Sequence, residues 1–430
     1  MNRQAISNIS PREVDRIDSG TIWTRQFTGL FFGQLLMAVG FSITVPIIPF
    51  SALKFGASSE TVVYIMGSNL IALVLLSGLF GYLSDRIGRL PVIMTAYVVS
   101  ILSFYLLVIS NSPSELLIGR ALGGIHGAAG GVVMALVGDN VSKSRAATAM
   151  ATLSSTIKLG FIAGLIGLYF AAPSSDKDYQ ALFVVALSCS LLAFFSLGIG
   201  AWNSWKVQSP LPSSVAALQG EDEQAVAPLR FTTLPGILPR TSVICFIGAL
   251  VAYSIYSAQN ATLALVLSER FHIQPSQISL VLALGNTAAV ILQVFGTSRI
   301  SRLRNLEGFM WTSAGCIACT AAASTIDSSP IYLVAHYLLV TVLSATTYPI
   351  AMAHLGNARS NVDRGVLLAG ATNILTVFQA ATPLLFGLVV TLLGISYVGF
   401  VEAGVILIVL TVGFFLAARF WPANTSKTKV

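Results

Sequence analysis

Ionisable side chains set inside apolar runs are where this sequence can do chemistry. Five stand well inside such runs: Arg120, His126, Lys158, His336 and Glu402. Each is costly in hydrocarbon, so each is a functional candidate by default. Arginine and lysine at depth can hold an anion, and histidine can exchange protons near neutral pH. Lys158 lies thirteen residues after Arg145, about 20 Å along a helix at 1.5 Å per residue. That depth leaves two roles open: a substrate or coupling group, or a structural lysine bonded to carbonyls and hydroxyls near Ser154, Ser155 and Thr156. A lone histidine at depth is equally open between proton shuttle and packing residue. Glu402 reads as structural or interfacial.

A second set could fix the orientation of a small molecule through amide and phenol groups: Gln34, Asn69, Tyr253, Tyr256, Gln259, Asn260, Asn286, Tyr348, Asn373 and Gln379. Any one of them could equally be an interhelical hydrogen-bonding group. The third set is compact and charged. Gly81-Tyr82-Leu83-Ser84-Asp85-Arg86-Ile87-Gly88-Arg89-Leu90-Pro91 puts an acid and two bases between two apolar runs. Gly81 and Gly88 would allow the chain to turn sharply there.

The elements that carry these residues follow from composition. The chain has 430 residues, 55% hydrophobic and 10% charged, with a mean hydropathy of +0.81. Soluble domains carry about 25% charged residues. Spans of about 20 apolar residues cross a bilayer as helices. Twelve are expected, at about 26–50, 61–83, 91–110, 114–138, 146–171, 180–201, 240–266, 277–297, 308–326, 330–355, 365–390 and 395–420. The fold class is therefore an all-α membrane protein. Residues 1–25 are polar and lack the apolar core of a cleavable leader.

Lys and Arg set the orientation. With the N-terminus in the cytoplasm, nineteen Lys and Arg fall in cytoplasmic segments and three (Lys54, Lys177, Arg270) on the other side. Both termini are expected inside. The net charge of +7 is then mostly this bias, not a nucleic-acid surface. The four cysteines all lie in spans and read as small apolar residues; Cys316-x-x-Cys319 has no second pair or histidine cluster nearby. The sequence shows no H-E-x-x-H, no catalytic carboxylate pair and no G-x-x-x-x-G-K-[ST], which argues against an enzyme and against ATP-driven work. No cofactor is expected.

Residues 202–239 break the pattern with five prolines and Glu221-Asp222-Glu223, and read as a cytoplasmic connector. The expected organisation is a cytoplasmic segment 1–25, a six-helix bundle 26–201, the connector 202–239, a second bundle 240–420 and a tail 421–430. A faint repeat relates the halves. Gly67-Ser68-Asn69 in span 2 answers Gly285-Asn286 in span 8, and Gly164 and Pro383 each fall nineteen residues after a loop arginine, Arg145 and Arg364. Two related halves around a midplane site are the architecture of many secondary transporters.

The loop at Gly81–Pro91 resembles the signature of the major facilitator superfamily, G-x-L-[SA]-D-R-x-G-R-[RK]-x, with Leu90 in place of the second base. Arg120-Ala-Leu-Gly123-Gly124-Ile-His126-Gly127 resembles the family's span-4 motif. Here Gly123 replaces the usual Gln and His126 a small residue. The resemblance implies two pseudo-symmetric six-helix bundles, a small-molecule substrate, protons as coupling ion, a monomer, and a site in a bacterial inner membrane. It implies a proton-coupling role for Arg120. It also implies a conformational switch at Gly81, Asp85, Arg86, Gly88 and Arg89, with Asp85 reaching the N-terminal end of span 11 and Asp139 pairing the loop's arginines. Gly123, Gly127 and Gly131 recur every four residues and suggest one smooth packing stripe.

Two departures bear on substrate and direction. Drug:proton antiporters of the family often carry an Asp nine residues before the first of two span-1 prolines; here the prolines are Pro46 and Pro49 and the position is Met37. The cavity then holds bases but few acids, which favours an anionic metabolite, siderophore-like acid or drug. Exporters often show G-x-x-x-G-P-x-x-G-G in span 5; here Gly160 and Gly164 are kept, and Leu165 and Leu168 replace the Pro and a Gly. Efflux is the leading expectation and uptake of an organic nutrient the alternative.

Overall fold

The computed structural model describes residues 22–141, 143–173, 176–201, 239–303, 305–326, 329–356 and 364–420. Connector residues 202–238 and the segments 1–21 and 421–430 fall outside them. The twelve expected spans form helices. In the first half these are α1 (Arg25–Lys54), α2 (Ser59–Ile87), α3 (Arg89–Ile109), α4 in two pieces (Pro113–Ala128 and Gly130–Asn140), α5 (Lys143–Ala171) and α6 (Asp176–Ala201). In the second they are α7 (Arg240–Phe271), α8 (Pro275–Phe295), α9 (Leu306–Ile326), α10 (Pro330–Gly356), α11 (Arg364–Leu393) and α12 (Val398–Phe420). Ten are long and apolar enough to cross a membrane. The other two are α9, diluted by Thr, Ser, Cys and Gly, and α12, whose apolar stretch Val398–Gly413 is shorter.

Local chemistry explains several ends. Ser112 caps α4 through its side chain and Pro113 opens it, where a missing N–H costs nothing. His272 ends α7 in the left-handed region. Gly88 joins α2 to α3 at φ 95°, ψ 155°, a backbone region in which essentially only glycine is at ease.

The packing repeats between the halves. α2–α4, α1–α5, α3–α4 and α3–α6 pair in the first half, and α8–α10, α7–α11, α9–α10 and α9–α12 in the second. The halves meet along α2–α11 and α5–α8, two seams that exchange when spans 2 and 8, and 5 and 11, are swapped. Along α2–α11 the tight contacts are Gly67 on Pro383 and Tyr64 on Gly387. At the same end Ser59 Oγ lies 2.8 and 2.9 Å from the Glu269 carboxylate oxygens, joining α2 to α7. The bundle is thus closed at the Ser59–Glu269 end.

The span-4 glycines do not form one stripe. Gly123 faces Ser103 of α3, Gly127 faces Leu73 of α2, and Gly131 meets open space. The close crossing is at Gly124, where an added Cβ would lie 2.7 Å from the Asn69 carbonyl carbon of α2. Gly124→Ala must push α2 and α4 apart, at about 1–3 kcal/mol for overpacking. We expect a lower thermal midpoint in detergent for Gly124→Ala and an unchanged one for Gly131→Ala. Equal midpoints would refute the close crossing.

Candidate functional site

Two adjoining cavities share the Arg120 side chain. The larger, about 400 Å³, lies within the first half. Gln34, Met37 and Phe41 of α1, Asn69 of α2, Arg120 and His126 of α4, and Phe161 of α5 line it. The smaller, about 180 Å³, lies between the halves. Phe41, Asn69, Arg120 and Phe161 face Tyr256, Ser257 and Asn260 of α7 and Gln379 of α11 across it. Among the described residues no acid lines either cavity.

Arg120 is 5% exposed. Its guanidinium carbon sits 4.4 Å from the Phe41 ring centroid, a cation–π contact. Its Nε is buried with no hydrogen-bond partner, and no ion pair to it occurs among the described residues. A buried cation without an acid is costly unless something else satisfies it. Beside it, the His126 ring meets Tyr97 edge-on at 4.9 Å. His126 Nδ1 and the Tyr97 hydroxyl are both buried without partners. These orphaned polar atoms lie on or beside the wall of the larger cavity.

The structure thus brings Gln34, Asn69, Arg120 and His126 together, with Tyr256, Asn260 and Gln379 across the seam. The remaining candidates lie elsewhere. Tyr253 stacks on Tyr348 at 5.1 Å and lines neither cavity. Asn286 donates to the Leu282 carbonyl at 2.8 Å and reaches the Tyr337 hydroxyl at 3.4 Å. Asn373 is exposed on α11. Lys158 also lines neither cavity; its ammonium donates to Gln293 Oε1 across the α5–α8 seam. The partner is an amide on the other half, not the carbonyls and hydroxyls near Ser154, Ser155 and Thr156. Sequence reasoning missed Phe41 and Phe161, whose rings look like ordinary span filler until the fold turns both toward Arg120.

At the far end, Arg89 NH1 donates to Asp85 Oδ1 at 2.8 Å and to Ser84 Oγ at 3.1 Å, and Arg89 Nε to Asp139 Oδ2 at 2.9 Å. Arg86 stacks on Tyr82 at 4.5 Å. Asp85 is 69% exposed and turned to Arg89, not to α11. The expected contact falls on the α11 N-terminus, where residues 357–363 lie outside the described ones; the named α2–α11 contacts lie at the opposite, closed end. Glu402, read as structural or interfacial on a peripheral helix, is buried against His336 and Gln259.

The chain belongs to the Major Facilitator Superfamily, whose family model matches residues 30–240 and 245–430. Members of that family are multi-pass membrane transporters, not enzymes. The chain is 33% identical to the tetracycline resistance protein, class B, of Escherichia coli over 157 residues, 36% of this chain and 38% of that protein. It is 22% identical to the quinolone resistance protein NorA of Staphylococcus aureus over 278 residues, 63% of this chain and 66% of that one. The chain thus spans little more than a third to about two thirds of these relatives. Among solved structures, a bacterial homologue of the human lysosomal transporter Spinster, inward-facing and unoccupied, superposes with a TM-score of 0.70 at 13% identity, covering 93% of this chain and 98% of that one. The human organic anion transporter MFSD10 superposes with a TM-score of 0.57 at 19% identity, covering 91% and 99%. These last two likenesses concern the fold.

Proposed function

We propose that the chain exports a small organic molecule bearing negative charge, driven by inward proton flow, by alternating access between two six-helix halves. The single observation that carries the charge preference is Arg120: a buried guanidinium at the junction of both cavities, with an orphaned Nε and no acid partner among the described residues. An anionic group entering either cavity would supply the missing partner in a low-dielectric site. Gln34 and Asn69 would fix its orientation from the first half and Tyr256 from the second. Efflux is supported by the drug-resistance relatives. Uptake is the competing reading, favoured by Leu165 and Leu168 in α5. In this reading both termini are cytoplasmic, the membrane is a bacterial inner membrane, the working unit is a monomer, and residues 202–239 connect the halves.

The test is purified protein in liposomes under an imposed pH gradient, with citrate as the anionic probe, tetraphenylphosphonium as the cationic one, and tetracycline and a fluoroquinolone as zwitterions. Movement of an anionic probe against proton flow supports the proposal. Movement of cationic probes alone overturns it, and movement of a probe with the protons establishes uptake. Lys158→Ala belongs in the same experiment. Its ammonium bridges the halves rather than facing the cavity, so the variant should alter turnover by roughly tenfold, in line with a charged hydrogen bond, and leave probe affinity unchanged. Lost affinity with normal turnover would return Lys158 to the substrate path.

A further inference from the structure

The second half holds a buried polar network that neither cavity touches. Glu402 of α12 is 1% exposed and His336 of α10 0% exposed. His336 Nε2 lies 2.8 Å from Glu402 Oε1, and Thr320 Oγ1 of α9 lies 2.7 Å from His336 Nδ1. Gln259 Nε2 of α7 donates to both Glu402 oxygens, at 3.3 and 3.0 Å. Four helices thus each contribute one group.

The network can hold two hydrogen arrangements. In one, the Thr320 hydroxyl donates to a bare His336 Nδ1, 2.7 Å away, and Nε2–H donates to Glu402 Oε1 at 2.8 Å. With one proton more, Nδ1 also carries a hydrogen and donates to Thr320, whose hydroxyl turns to the Cys316 carbonyl at 2.8 Å, and an imidazolium faces the carboxylate. Without that proton an excess negative charge sits in the protein interior. The two arrangements differ by one proton.

A small cavity adjoins the pair. Its volume is about 20 Å³, it is lined by Gln259, Arg270, Ser324, Ser396 and Glu402 among others, and it has room for about one water. The Gln259 Oε1 is buried with no partner among the described residues, an acceptor for a water beside the carboxylate. Arg270 donates to the Ser324 and Thr325 carbonyls, each at 3.4 Å. Of the other titratable groups on the packed helices, Tyr337 reaches toward Asn286, Tyr256 lines the cavity between the halves, and Cys316, Cys319 and Tyr397 are exposed.

We propose that Glu402, His336, Thr320 and Gln259 form a reversible single-proton site in the second half. Uptake transfers a proton from hydronium to the pair and leaves water; release reverses it. The site rests on the transport reading only for the use made of the proton, which on that reading is the coupling proton. It lies apart from Arg120, so substrate and proton occupy different halves.

The experiment is acid–base titration of purified wild type and Glu402→Gln in detergent, between about pH 5 and pH 9. The wild type should take up about one proton more per chain. Superimposable curves would show a permanently locked pair and overturn the proposal. Should Glu402→Gln fail to fold, His336→Gln, made alongside, removes the ring itself and should lose the same proton; curves superimposable on the wild type overturn the proposal equally. Neither titration involves flux. A chain that moves no probe in liposomes but shows the extra proton keeps the site and loses only the coupling.

Discussion

Replacing Arg120 with glutamine is expected to abolish transport while making the protein slightly more stable. The two effects have one cause. The guanidinium is 5% exposed and its Nε has no partner, so the resting protein carries an unpaired buried charge that costs free energy. Glutamine removes that cost. The same substitution removes the cation that an anionic substrate would meet at the junction of the cavities. A charged hydrogen bond contributes about 1.5–3 kcal/mol, so probe affinity should fall about 10- to 100-fold. Arg120→Lys keeps the charge but loses the planar stack on Phe41, and should keep part of the activity. The checks are a thermal scan in detergent and probe binding on the same samples. Normal anion binding in Arg120→Gln would end the anion proposal, and a sharp fall in stability would make Arg120 a structural residue.

The helices were legible because twelve apolar runs are separated by polar or basic turns, and the signature around Asp85 ties that pattern to one family. Arg120 was legible for a related reason. A charge inside an apolar run is visible without any structure, and the glycines after it suggest close packing. What the sequence hides is partnership. His336 and Glu402 lie 66 residues apart, and nothing along the chain says that α10 and α12 will set them 2.8 Å apart. Each therefore reads singly as an ambiguous buried group. Lys158 was placed at the right depth on its helix, but depth does not say which face it occupies. The rotation of α5 sends it to Gln293 of α8 and leaves Phe161 to face Arg120. Gly124, not the four-residue repeat around it, proved to be the close contact, because the crossing of α2 over α4 decides which glycine meets backbone.

Asp85→Asn is expected to leave folding intact and to slow transport by about tenfold. The first half of that statement follows from exposure. Asp85 is 69% exposed and its ion pair with Arg89 is an i, i+4 surface contact, of a kind contributing about 0–1 kcal/mol. Arg89 also keeps Asp139 at 2.9 Å, so the loop loses one of two acids and stays anchored through Gly88 and Ser84. The second half follows from where the described residues of the two halves meet. Here the seam between α2 and α11 is made at Gly67–Pro383 and Tyr64–Gly387, near Ser59 and Glu269. When that end opens in an alternating cycle, the two helices must close at the other, where Asp85 can meet the positive N-terminal end of α11. A carboxylate at a helix N-terminus contributes about 0.3–1 kcal/mol, up to about 2 when partly buried. Removing up to that amount from one state alone shifts the two-state ratio by as much as about 30-fold, and the cycle waits on the disfavoured state. The discriminating measurement pairs turnover in liposomes with labelling of a cysteine placed at each end. Slower turnover with raised labelling at the Asp85 end is the expected result. Normal turnover in a well-folded Asp85→Asn protein would leave the loop without a role in the cycle.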